Sequence, residues 1–393
     1  MNPQREAWIR VWLDGEPWVE APQRLLSAVV EERADGATWF KLKLDLAPID
    51  GDWDLLADPR FALLRRVTLA FSLGPVEQGE AGSETVVVDG YVTSVEARFG
   101  PQRVPDSHLE LEGYDAACLM HLDDRVRAWT DRSDAAIVRT ILAEYGFGAD
   151  VDETAPSRAA DRGTLLQRGT DAEFLRLLAR RNGFELWMER APGAVSAGAH
   201  PGAAFVGHFH KPRLGDPPQP PLRLMPREEP SLLEFCARWE SHHPTTTQSW
   251  HLDERTRRVQ TTRAKLSPYH KLGARSRADL LTARLAEVLP QRPNLTPLGL
   301  PFADVPHDQH ELGTLAAAEL QESDWLLSAT GTVQTLRYPV VLRARRPVAV
   351  EGAGKALDGT WYVRSVRHTW TADAHTRRYD AEVELVRNAM GAA

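Results

Sequence analysis

The residues of this chain that could do chemistry fall into a few short clusters. Asp50-Gly51-Asp52-Trp53-Asp54 has the composition of a catalytic pair of acids, and such a pair needs a base or nucleophile framed beside it. No such partner stands near, so the cluster reads as a polar loop. His208-x-His210 would place two imidazoles on one face of a strand, as metal ligation requires. A metal site needs more ligands, and His242-His243 is the only other nearby pair. The expectation is a solvated pair and no metal. His307-Asp308-Gln309-His310-Glu311 resembles a zinc-protease helix at a glance but contains neither HExxH nor HxxEH. It reads as the polar first turn of a helix running to Ser323, with Leu312, Leu315, Ala316 and Leu320 inward. Gly352-Ala353-Gly354-Lys355-Ala356 lacks the upstream Gly and the Ser or Thr of a phosphate loop, so it is a turn. Cys118 and Cys236 are too few for a disulfide framework, and apolar neighbours suggest two buried, reduced thiols in a cytosolic protein. Neither catalytic nor cofactor-binding residues are expected.

The elements that would position these groups are mostly strands. Ala37 to Leu46 alternates cleanly, with Thr38, Phe40, Leu42, Leu44 and Leu46 on one side and Trp39, Lys41, Lys43 and Asp45 on the other. Val67 to Leu73 and Glu84 to Phe99 add more strands before Gly113. Between Tyr114 and Glu189 the period becomes helical. Ser133 can cap a helix at Asp134, and Thr170-x-x-Glu173 is a capping box for a second helix that Gly183 ends. Further on, strand signals lie at 204–209, 231–239, 248–252, 325–338, 340–342 and 348–351, with a helix at 274–289 and a proline-punctuated loop at 290–306.

Two hairpins echo each other. Asp358-Gly359 leads into Tyr362-Val363-Arg364-Ser365-Val366, and far upstream Asp89-Gly90 leads into Tyr91-Val92-Thr93-Ser94-Val95. Both are followed by a polar gap and a returning run. Tyr362, Val366 and Trp370 fall on one face at period two. Internal repetition of this kind reorganises the whole reading. It gives a mainly β chain with α/β insertions, built as two related β-barrel domains in tandem. Residues 1–113 form the first barrel, 114–190 an α/β insert, 191–230 a Pro/Gly-rich region, and 231–393 the second barrel with a helical insertion around 274–323.

Composition bounds the rest. A chain of 393 residues holds two or three domains, and 42% hydrophobic with 26% charged residues is ordinary for a globular protein. A net charge of -8 argues against nucleic acid as a partner. No apolar run reaches the roughly 20 residues that span a bilayer, and the N-terminus has no signal-peptide core, so no membrane anchor is expected. The 12 tryptophans need either a core or another subunit to cover them. Trp39, Trp361 and Trp370 are the candidates for an interface.

The ordered set of motifs resembles the phage late-control D family of tail hubs and the hub half of the valine-glycine-repeat spike proteins of contractile injection systems. The residues that carry it are Gly113-Tyr114-Asp115, Ser133 to Val138 through Glu144-Tyr145-Gly146-Phe147, Leu166 to Leu175 through Gly183, and Gly359 to Val363 with Val383 to Arg387. The resemblance implies a homotrimer that fits a hexameric tail tube to a trimeric, separate spike protein. It also implies other baseplate partners, assembly in the cytoplasm and a place in a phage tail or injection particle. Two rivals stay open from the residues alone: a cell-wall or polysaccharide hydrolase, and a carbohydrate-binding β protein that uses its tryptophans.

Overall fold

From Trp39 to Asp45 the alternation written in the sequence is obeyed, with Phe40, Leu42 and Leu44 buried and their neighbours half-buried. The computed structural model describes residues 5–75, 84–100, 107–155, 164–191, 204–224, 230–240, 247–253, 256–264, 267, 269–288, 290–291, 309–372 and 377–391. The first unit contains β1 (Arg5–Leu13), β2 (Leu25–Arg33), β3 (Trp39–Asp45), β4 (Arg66–Pro75), β5 (Thr85–Arg98) and β6 (His108–Asp115). These strands pair antiparallel in the order β2-β3-β6-β5-β4-β1.

A small α/β insert follows. It comprises β7 (Asp124–Trp129), α1 (Asp134–Glu144), β8 (Gly148–Val151), β9 (Leu165–Thr170), α2 (Asp171–Asn182), β10 (Glu185–Arg190) and β11 (Phe205–His210). Both expected helix caps are present. Ser133 accepts from the Ala136 amide, Thr170 and Glu173 form a capping box, and Gly183 closes α2 in the left-handed region at φ 65°. The strand expected at 204–209 is the middle of a three-stranded sheet, lying between β8 and β10.

The second unit comprises β12 (Gln219–Arg223), β13 (Leu232–Trp239), a hairpin of β14 (Thr247–Asp253) and β15 (Arg258–Ala264), α3 (Arg277–Val288), α4 (Gln309–Ser323), β16 (Leu327–Val333), β17 (Pro347–Glu351), β18 (Gly359–Ala372) and β19 (Arg377–Arg387). Its ladder runs β13-β16-β19-β18-β17, every pair antiparallel. That is the order β2-β3-β6-β5-β4 of the first unit, strand for strand. The irregularities repeat as well. β2 is bulged between Leu25 and Ser27 and β13 between Leu232 and Glu234, while β5 is bulged between Val92 and Ser94 and β18 between Val363 and Ser365. An extra residue inserted at the same place in two ladders fixes the same bend and the same change of face.

The bulge corrects one expectation. Tyr362, Val366 and Trp370 do not share a face, because the extra residue at Arg364 breaks the period of two. Trp361, Val363 and Val366 enter the second unit's core, while Tyr362 turns to the opposite side with Val386, Leu214 and Leu272. There its hydroxyl donates to the Glu185 carboxyl at 2.6 Å. Tyr91, at the matching position of the first unit, packs against the insert's core, 6.0 Å from Phe205 between ring centroids. The two repeat tyrosines thus hold the insert from both units. Two other expectations are corrected. Cys236 is exposed, on β13, while Cys118 is buried. Residues 340–342 form no strand, because this connection carries Arg343 inward.

The units fuse along one seam. β18 pairs with β2 from Ser365 opposite Arg33 to Thr371 opposite Ser27, which merges the main ladders of the two units into a 13-stranded sheet, while the insert's sheets and the β14–β15 hairpin stay separate. Under the seam the Arg343 guanidinium donates to the buried Glu32 carboxylate at 2.7 Å, and the Ala344 amide donates to its other oxygen at 3.0 Å. Burial pushes the Glu32 carboxyl up, but Arg343 and Arg345 more than offset this, and it stays below the usual range. Removing one partner of a buried pair strands the other charge, so Glu32→Ala should cost about 3–5 kcal/mol in urea unfolding, and a double Glu32→Met, Arg343→Met change less than that. Glu185 behaves in the opposite sense. Burial lifts its pKa from 4.5 to about 8, against the pull of the Tyr362 hydrogen bond and of Arg345. The folded carboxyl keeps a proton that the unfolded one has lost. Its contribution to stability is therefore fullest below pH 4.5 and declines as pH rises toward about 8. Urea midpoints measured across that window should fall for the wild type relative to Glu185→Gln.

Candidate assembly surface

Every strand offers N–H and C=O groups along two edges, and an edge without a neighbour is a site for one. β18 fills both. One edge lies along β19; on the other, Gly359 to Tyr362 pairs with β17 and the later part with β2. β5 fills one and a half. Its start, Thr85 to Tyr91, pairs with β4, but from Ser94 to Arg98 it has only β6 beside it among the described residues. β13 is a terminal strand of the sheet, with β16 on one side only among the described residues. Two half-used strands thus stand at equivalent ladder positions, one in each unit, while at the other end of the sheet β1 pairs outward only at Trp12 and Leu13, with Glu16 and Pro17.

Superposing the units on their matching bulges gives the correspondence. Ser94 to Gly100 takes the place of Ser365 to Thr371, and Leu232 to Trp239 takes the place of Leu25 to Glu32. Burial then reports what is missing. Val366 and Trp370 are 0% and 2% exposed beneath β2, whereas their equivalents Val95 and Phe99 are 36% and 53% exposed. Along β13, Leu233 and Trp239 are exposed, Trp239 at 59%, where Leu26 is half-buried and Glu32 is enclosed. The outer face carries charge. At the seam Arg367 donates to Glu31 at 3.2 Å, and the equivalent positions hold Glu96 and Arg238, the same pair with its signs exchanged.

The sequence-predicted interface tryptophans are placed differently. Trp361 and Trp370 are core residues of the single chain and present no face to a partner. A large ring at period two in a strand reads alike whether its cover comes from the same chain or another. Trp39 stays half-buried, with the Arg367 guanidinium 5.8 Å from its ring. The exposed tryptophans are Trp239 and Trp250. Of the repeat-hairpin residues, Tyr91 and Tyr362 bind the insert and Val366 is core. Val95 alone reaches the open edge. The signal that could have found β13 is the Leu25-Leu26 and Leu232-Leu233 pair at the matching bulges.

Other chemical candidates resolve as follows. Asp54 accepts from the Ala47 and Leu55 amides and pairs with Arg24, so the acidic cluster is a tied loop. His208 and His210 are not a solvated pair: His210 is buried, and Asp150 lies with both within 4.8 Å, ligand atom to ligand atom. His242, His243, His307 and Asp308 lie outside the described residues, and α4 begins at Gln309. A cleft of about 770 Å³ between the insert and α4 is lined by Arg176, Arg180, Glu319, Glu322, Arg364 and Glu185. In it Glu185 is held by Tyr362, and Glu322 accepts from Arg364 at 3.0 Å. Among the described residues, no helix is long and apolar enough to cross a membrane.

The architecture has relatives. It is similar to a tail protein of Neisseria meningitidis MC58 at TM-score 0.59 and 11% identity, covering 97% of each chain. It is also similar to the 43 kDa tail protein of prophage MuSo2 from Shewanella oneidensis, at TM-score 0.58 and 13% identity over 98% of this chain and 100% of that one. A chain of the Francisella PdpA-VgrG complex aligns at TM-score 0.55 and 8% identity over 99% of this chain and 54% of that one. These identities establish the fold. No curated protein matches the sequence. Residues 37–374, however, match the phage tail baseplate hub (GPD) family. A match over most of the chain shows the family, and the protein belongs to the phage tail baseplate hub proteins, which are structural components of the tail.

Proposed function

We propose that three copies of this hub protein close into a ring by repeating, between chains, the seam that already joins the two units within a chain. The observation that carries the reading is the pair of half-used edges, β5 and β13, at the positions that β18 and β2 occupy at the seam. Each copy then offers β5 to one neighbour and β13 to the other. Two alike units in each of three chains give six alike surfaces around one axis. Such a ring matches a hexameric tail tube on one side while remaining three-fold toward a trimeric spike on the other. Other baseplate proteins would dock around it, and assembly would precede incorporation into the tail particle.

The internal seam supplies the register. Transferring it sets Val95 opposite Trp239, Glu96 opposite Arg238, Ala97 opposite Ala237, Arg98 opposite Cys236 and Phe99 opposite Phe235 of the neighbouring copy. The inward side of this ladder is apolar against apolar, and on the outward side Glu96 meets Arg238, a cross-strand pair of opposite charges that favours the contact. An obligate contact of this kind buries about 2,000 Å² or more.

Two experiments test the register. Glu96→Arg and Arg238→Glu should each shift the trimer toward monomer in mass photometry by at least about tenfold, and the combined exchange should restore it. Arg98→Cys, mildly oxidised, should link to the native Cys236 of a neighbour and give covalent dimers and trimers on a non-reducing gel. A wild type that remains monomeric at micromolar concentration, or charge reversals that leave the trimer intact, would rule the arrangement out.

A further inference from the structure

Three atoms able to offer lone pairs converge where β8 and β11 run side by side. Asp150 and His208 are direct partners in that parallel ladder, and His210 lies two residues on, on the same face. His208 Nδ1 is 3.0 Å and His210 Nε2 3.6 Å from the same Asp150 oxygen, Oδ2.

The hydrogens decide what this arrangement means. His210 Nδ1 faces the Lys211 carbonyl oxygen at 3.3 Å, and a carbonyl only accepts, so the neutral ring carries its proton there. Nε2 is left with a lone pair. The side chain is 2% exposed and Nε2 has no hydrogen-bond partner, yet it is aimed at a carboxylate oxygen that is itself an acceptor. Two acceptors facing one another, the His210 nitrogen buried and the Asp150 carboxylate 44% exposed, call for a cation between them. Without a metal His208 Nδ1 donates to the Asp150 carboxylate at 3.0 Å. Its Nε2 is 3.6 Å from Glu189, so moving the proton to that side would free the Nδ1 lone pair for a metal, the carboxylate-histidine arrangement that orients metal ligands. Trp187 fixes both rings, stacked on His208 at 4.8 Å and edge-on to His210 at 4.6 Å.

We propose that Asp150, His208 and His210 form a binding site for a divalent transition metal of the zinc class, with Arg213 as the cation that occupies its place when no metal is bound. Two imidazoles and one carboxylate are the donor set that such borderline ions take, and water completes the tetrahedron. Bonds of about 2.0–2.2 Å set tetrahedral ligand atoms about 3.3 Å apart, so modest side-chain rotations close the site. Arg213 donates to the same Asp150 oxygen at 3.0 Å, and its side chain is half exposed, free to swing into solvent. The metal would tie β8 to β11 and so lock the insert's sheet.

The test is isothermal titration of zinc chloride into untagged, chelator-treated full-length protein. The expected result is one saturable site at micromolar affinity or tighter, weakened at least about tenfold by His210→Gln and strengthened several-fold by Arg213→Gln. Circular dichroism reports whether His210→Gln folds. Should it not, the Arg213→Gln change at an exposed position carries the test. No saturable binding by the wild type, or wild-type binding by a His208→Gln, His210→Gln double variant, overturns the site. Unchanged affinity in Arg213→Gln overturns the exchange between guanidinium and metal.

Discussion

The antiparallel seam between β2 and β18 is the contact on which the rest of this structure depends. It does more than join two units, because it completes both cores at once. Trp370 and Tyr379 come from the second unit but sit in the hydrophobic cluster of the first. Phe71 of the first unit stacks on Tyr379 at 4.6 Å. The His368 ring lies between the units, bonded to the Tyr379 hydroxyl at 2.8 Å, and burial keeps its pKa near 4, so it is neutral at ordinary pH. A charge in that position would be stripped of water and set near Arg343, a cost that the Glu32 carboxylate only partly offsets. The charge pair beneath the seam, Glu32 with Arg343, is fully bonded, which is the condition under which an interior tolerates ions.

Duplication explains four of the backbone irregularities. A bulge in a single strand can be an accident of packing, but four bulges at two pairs of equivalent positions are a copied feature, whereas the bulge of the β4–β5 ladder is the first unit's own. Glycine shows the same constraint where the ladders are tightest. A Cβ at Gly113 would lie 2.2 Å from the Tyr91 carbonyl oxygen and 2.5 Å from the Phe40 ring, so β6 can pass there only bare. In the second unit Leu385 stands opposite Val363 as Gly113 stands opposite Val92. The backbone plan was kept while side chains were refitted to a different neighbour.

How much of this was legible follows from what a strand pattern encodes. Alternation in Trp39 to Asp45 gave the buried face correctly, and the Thr170 to Glu173 capping box fixed the start of α2, since both are local rules. The echo of Tyr-Val-x-Ser-Val pointed to two units of one topology. What alternation cannot carry is the identity of the neighbour across an edge. Trp370 and Phe99 occupy matching positions in sequence, yet one is enclosed and the other open, a difference set by a strand hundreds of residues away in the chain. The bulge at Arg364 was invisible for a related reason, since one inserted residue leaves composition unchanged while it turns Tyr362 to the other side. The acid that joins His208 and His210 is 58 residues upstream, on a strand of four residues, too short to be recognised by period.

The exchanged signs at the outer face have a consequence for fidelity. Within the chain Glu31 and Arg367 already satisfy one another, and Glu96 and Arg238 carry the complementary signs on the two edges that the seam leaves open. In the assembly proposed above, a β5 edge that met a second β5 edge would bring Glu96 toward its own copy, and two β13 edges would do the same with Arg238. Like edges then repel while unlike edges attract, so copies joined in this way add head to tail and in one sense only.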